Sequence, residues 1–184
     1  FDYADGKLSP QPTGELKETV DLSQIYWSGV AHHPKKPVLY AANRGGSNLA
    51  GHVVLFDTDS GTLVKRIQVE NTPYDVVLSP DGSKLYVSNW GSASVSVIDT
   101  EQDRVVARYA VDSNPNDIEL HKDGRLFVSC ANDNSVVVVD TASGKALERI
   151  SVALSPGAPA GTTPNALALD GAGQILFVAN ADNN

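Results

Sequence analysis

A ten-residue pattern occurs three times along this chain, and near-copies spaced along a sequence oblige the fold to stack equivalent units. Residues 73–82, Pro-Tyr-Asp-Val-Val-Leu-Ser-Pro-Asp-Gly, return at 115–124 and more loosely at 164–173. After each copy comes an apolar run, at 85–89, 126–130 and 176–180, with a counterpart upstream at 39–43. An alternating run then closes on Asp57, Asp99 or Asp140, aspartates spaced 42 and 41 residues apart. A further run, 104–111 or 146–152, ends the unit. Each run is short, rich in Val, Ile, Leu, Tyr and Phe, and bounded by Pro-Asp-Gly or Ser-Gly, which reads as a strand between turns. Four strands in about 42 residues make one blade of a β-propeller. The expected fold is therefore all-β, built of four-stranded antiparallel blades. A sheet apolar on both faces cannot bury itself, so neighbouring blades must cover one another around an axis. Helical periodicity is absent.

Composition narrows the partners. Of 184 residues, 41% are hydrophobic and 20% charged, which excludes a disordered or collagen-like chain. The apolar runs are a few residues long, far short of the roughly 20 that span a bilayer, so neither a membrane span nor a basic-then-apolar leader is expected within these residues. A net charge of −8, with no basic cluster beyond Lys35-Lys36, excludes nucleic acid as the main partner. The single cysteine, Cys130, cannot close an intrachain disulfide, and a thiolate zinc site lacks ligands; no metal and no cofactor are expected. With no methionine and a start at Phe1, the sequence reads as processed or as an excerpt. Residues 1–7 align with 139–145, which places the blades near 1–22 (the end of one), 23–69, 70–111, 112–152 and 163–184 (the start of another). Three complete blades and two partial ones imply part of a seven- or eight-bladed ring, with the missing blades or a downstream domain of the same polypeptide as partners.

Breaks in the repeat carry more functional information than the repeat itself. Four extra residues lie between Asn43 and Val53, and a Pro/Gly-rich stretch at 153–163 lengthens the link between two blades. Because successive strands are antiparallel, both insertions belong to one rim. A site for a protein, peptide or small molecule is expected there near the axis, around Asn43, Arg44, Asn48, His52, Tyr74, Asn89, Trp90, Asn116, Asn132, Asp133, Asn165 and Asn180. The competing reading makes the strand-closing asparagines turn formers that satisfy local backbone groups.

Few residues suggest chemistry. His33 and His121 occupy equivalent turn-side positions, and His32 alternates to the opposite sheet face, so that pair is ill placed to share a metal. His52 and Arg44 flank the first insertion, and Arg suits bidentate binding of carboxylate or phosphate. Cys130 ends a strand without a basic neighbour to activate it. The recurring strand-end aspartates fit Asx turns better than calcium loops. No metalloprotease, nucleophile-elbow, phosphate-loop or dinucleotide motif is present.

The segments Tyr86-Val87-Ser88-Asn89 and Phe177-Val178-Ala179-Asn180, the Pro-Asp-Gly turn and the Val-Ile-Asp-Thr ending resemble the YVTN-type repeat of YncE-like bacterial propellers. Residues 159–169 and 179–184 resemble proteins in which such a propeller precedes an alkaline-phosphatase-type phosphoesterase domain; this implies phosphoesterase residues outside this sequence and export to the periplasm or beyond. Asn43-Arg44-Gly45 is similar to a segment of lactonase-type propellers, in which Arg44 would face a developing oxyanion. The expected role is a non-catalytic binding or scaffold module, with hydrolysis of a sugar lactone as the alternative.

Overall fold

The computed structural model describes residues 3–4, 7–8, 26–45, 51–155, 157 and 161–181. Three four-stranded antiparallel sheets follow one another: β3–β6 (Trp27–His32, Val38–Asn43, His52–Asp57, Thr62–Gln68), β7–β10 (Pro73–Leu78, Lys84–Asn89, Ser94–Asp99, Arg104–Ala110) and β11–β14 (Pro115–Leu120, Arg125–Cys130, Ser135–Asp140, Lys145–Ser151). A two-stranded sheet, β15 (Pro164–Leu169) with β16 (Leu176–Asn180), comes after them, and a short hairpin, β1 (Tyr3–Ala4) with β2 (Lys7–Leu8), precedes them. No helix occurs among the described residues. These are the blades of a β-propeller, as the repeat predicts.

Alternation within each third strand builds the core. Val53 and Leu55 point into the seam with the next blade, against Val76, Leu85, Val87 and Ile98, while Val54 and Phe56 cover the opposite face. The second seam repeats the design with Tyr86, Val95 and Val97 against Ile118, Leu126, Val128 and Val137. Phe127, Val136 and Val138 meet Leu167 and Val178 in the third. Each fully buried Val or Leu contributes about 1.5–3 kcal/mol, so the seams hold the blades together.

Polar side chains fasten the same seams. Glu70, between the first two blades, accepts a hydrogen bond from Ser94 and pairs with Arg108; Asp112 takes Ser135 at 2.9 Å and Arg149 at 2.9 Å in the next blade. On the opposite rim, the His33 imidazole lies so close to Gly82 of the following blade that an added Cβ would meet it at 2.6 Å. His121 stands in the same relation to Gly173. The turn-side role expected of both histidines is thus an inter-blade contact. Asp57 and Asp140 close Asx turns with Ser60 and Ser143, and Asp99 does so with Gln102.

Register defines the two rims. Trp27–Asn43–His52–Gln68, Pro73–Asn89–Ser94–Ala110 and Pro115–Cys130–Ser135–Ser151 are the paired ends of successive strands, so the loops between second and third strands and the blade-to-blade links share one rim. Residues 46–50, 156 and 158–160, within the two insertions, lie outside the described residues.

Candidate functional site

The first strands of successive blades, β3, β7, β11 and β15, lie side by side and form the innermost layer. Each carries a bulge near its start, where the register slips between Trp27 and Val30, Pro73 and Val76, Pro115 and Ile118, and Pro164 and Ala166. A bulge turns a side chain out of the regular alternation. The residues it re-aims line a cavity of about 400 Å³ at the axial mouth: Trp27, Ser28, Gly29, Tyr74, Asp75, Asp117 and Asn165, joined by Arg44.

Arg44 is placed by the scaffold. Its backbone N–H donates to the Tyr26 carbonyl at 2.9 Å, the bond that Trp90 makes to Thr72, Ala131 to Asn114 and Ala181 to Thr163 in the other blades. The position therefore accepts any side chain, and here alone it bears a charge. The guanidinium sits 4.9 Å from the centroid of the Tyr74 ring, a cation–π contact. Among the described residues it has no carboxylate partner within ion-pair distance.

Asp75 and Asp117 stand at equivalent bulge positions, and each reaches across a seam. Asp75 Oδ2 accepts from the Ile118 N–H at 3.3 Å, and Asp117 Oδ2 accepts from the Leu167 N–H at 2.5 Å. Their own amides donate to Ser88 Oγ at 2.9 Å and Ser129 Oγ at 3.1 Å. Burial, and then a hydrogen bond with Asp117, push the Asp75 carboxyl up to about 7, against the opposing pull of the Val76 and Ile118 amides. Asp75 thus keeps near neutrality a proton that an ordinary aspartate would have lost. Further along β11, the half-buried Glu119 carboxyl is also raised, by burial and by the charge of Asp117. Gly29 forms the floor: an added Cβ would lie 2.6 Å from the Asp75 Cα and 2.6 Å from its Oδ1.

Of the residues expected at this rim, Arg44, Tyr74 and Asn165 line the cavity. Asn43 is buried and accepts the Gly45 N–H at 2.9 Å, the turn-forming role. Asn89 instead reaches along its own blade, donating to Ser94 at 3.1 Å and Ser96 at 3.0 Å, with its Oδ1 buried and unpaired. Asn116 is buried in the third seam, donating to the Pro164 carbonyl at 2.9 Å, and Asn180 Oδ1 is buried without a partner. His52 begins β5 opposite Asn43 and Gln68, away from the cavity lining. Trp90, Asn132 and Asp133 are exposed on turns, and Asn48 lies outside the described residues. Cys130 is buried, its thiol pushed up to about 12 by desolvation, and is inert. No group of three metal-ligating side chains occurs among the described residues.

Sequence reasoning passed over Asp75 and Asp117, yet a signal was present. The third position of the first strand reads Gly29, Asp75, Asp117, Ala166, and its neighbour on the second strand reads Ala42, Ser88, Ser129, Ala179. Acid and serine come together or not at all.

A family model described as lactonase, seven-bladed β-propeller, matches residues 1–107. Hydrazine synthase of Kuenenia stuttgartiensis is similar in structure, with a TM-score of 0.72 and 21% identity over 94% of this chain and 45% of that one. The chain spans less than half the length of that neighbour, and the likeness concerns the fold. No curated protein matches.

Proposed function

Since the chain belongs to the lactonase family of seven-bladed β-propellers, we propose that it acts as a binding module, holding a small anionic ligand at the axial mouth of the rim that bears the inserted loops. The observation that carries this is Arg44, a guanidinium stacked on Tyr74 at the edge of a cavity of about 400 Å³ and left without a carboxylate partner among the described residues. A bidentate carboxylate or phosphate is its natural complement. Titrating the protein with gluconate by calorimetry tests it: Arg44→Ala should weaken binding about tenfold to a hundredfold, the worth of one charge-assisted contact. Equal affinity in both proteins would end this reading.

A second reading has its own support. The family match covers both Arg44 and Asp75, and a carboxyl near 7 is suited to general-base activation of water while Arg44 faces the oxyanion. Gluconolactone hydrolysis by wild type, Arg44→Ala and Asp75→Asn separates catalysis from binding; turnover that depends on both residues makes the chain part of a hydrolase. Affiliation with YVTN-type, YncE-like propellers, export to the periplasm or beyond, and service to a phosphoesterase domain of the same polypeptide complete the proposal. They rest on the repeat residues quoted above, and the sequence of the parent gene tests them.

A further inference from the structure

The mouth carries more than an anion site. Three ionisable side chains line the cavity, Arg44, Asp75 and Asp117, and two half-exposed aromatic rings, Trp27 and Tyr74, stand beside them. In each carboxyl Oδ2 takes a backbone N–H across a seam, and Asp75 is held besides by the Val76 amide, so the two acids offer a ligand the lone pairs that these amides leave. The Asp75 Oδ1 lies over Gly29, where the missing side chain keeps the floor of the cavity open. Tyr74 is covered by Arg44, so the aromatic face left to a second cation is that of Trp27. Opposite charges thus meet in one cavity, a distribution that complements a dipolar ligand better than it does a plain anion.

We propose that the axial mouth takes a small zwitterion of the amino-acid class, its carboxylate on Arg44 and its ammonium group on the Asp75–Asp117 carboxyl pair. This rests on the anion-site reading and names the other end of the same ligand. An ammonium group supplies the donors that the Asp75 proton otherwise supplies, so binding displaces that proton. The groups facing the pair are accounted for: Arg44 from the loop after β4, Asp117 across the seam and Glu119 along β11, with Ser88 and Ser129 satisfying the bulge amides. Because Asp75 loses its proton near neutrality, zwitterion affinity should rise with pH through that range while plain-anion affinity falls.

The test uses the Trp90→Phe protein, in which Trp27 is the remaining tryptophan, and follows its fluorescence on addition of 4-aminobutyrate, butyrate or butylammonium at pH 6 and pH 8. The expected result is 4-aminobutyrate binding at least about tenfold more tightly than butyrate at pH 8, a gap that narrows at pH 6. Asp75→Asn should collapse the ratio between the two ligands; Asp117→Asn, read the same way, serves if the first variant does not fold. Equal affinities for 4-aminobutyrate and butyrate that both depend on Arg44 would overturn the zwitterion and leave the anion site standing. Binding of none of the three would overturn both.

Discussion

At the residue scale, the chemistry of the mouth depends on one proton and one missing side chain. Asp75 titrates near 3.8 when unfolded and near 7 when folded, so the folded protein keeps a proton that the unfolded chain releases. Its contribution to stability is complete below about pH 4 and is lost as pH rises through 7. Asp81 and Asp123 act in the opposite sense: hydrogen bonds from Ser79 and Ser83, and contacts with His121 and Arg125, hold them down to about 2, so their contribution is lost as pH falls below 4. Thermal melting should therefore show a fall in Tm between pH 5 and pH 8 that shrinks in Asp75→Asn. Gly29→Ala should destabilise by about 1–3 kcal/mol in urea unfolding, because the clash is with the Asp75 backbone as well as with its side chain. Arg44, Tyr74 and Asn165 were legible as departures from the repeat or as rim positions. Asp75 and Asp117 were not, because a residue recurring in a repeat reads as packing; only the pairing with Ser88 and Ser129 distinguishes them.

At the element scale, the strands were legible and the bulges were not. An apolar run followed by Pro-Asp-Gly announces a strand and its turn, and Gly82 and Gly124 supply the positive φ of 81° and 91° that the turn requires. A bulge alters register without changing the character of the run, so nothing in the pattern marks it. Yet the first-strand bulges aim the acids, and the serine that satisfies the Asp75 amide should be costly to lose: Ser88→Ala is expected to cost about 1–3 kcal/mol, the penalty for stranding a part-buried N–H, and Ser129→Ala less, because the Asp117 N–H also donates to Asn116 Oδ1 at 2.9 Å. The outer strands carry a second set of bulges, which leave Val64, Val106 and Leu147 exposed at equivalent positions. There a bulge turns the sheet edge away from foreign pairing. Val106→Lys should change stability by less than about 0.5 kcal/mol.

At the scale of the whole molecule, blades are held by alternating apolar seams and positioned by side chains that cross them, with His33 and His121 fastening one rim and the acids the other. The propeller could be read from its period, since stacking is what a repeated two-faced sheet requires. The mouth could not, because it forms only where five non-adjacent segments converge, and spacing along the chain carries no record of that convergence. The central claim is that this convergence is a ligand site. Amide chemical-shift mapping with gluconate tests it most directly. Shifts confined to the backbone around Trp27–Gly29, Arg44, Tyr74–Asp75, Asp117 and Asn165 are the expected result. Shifts on the opposite rim, around Gly82 and Gly124, or none at saturating ligand, would contradict it.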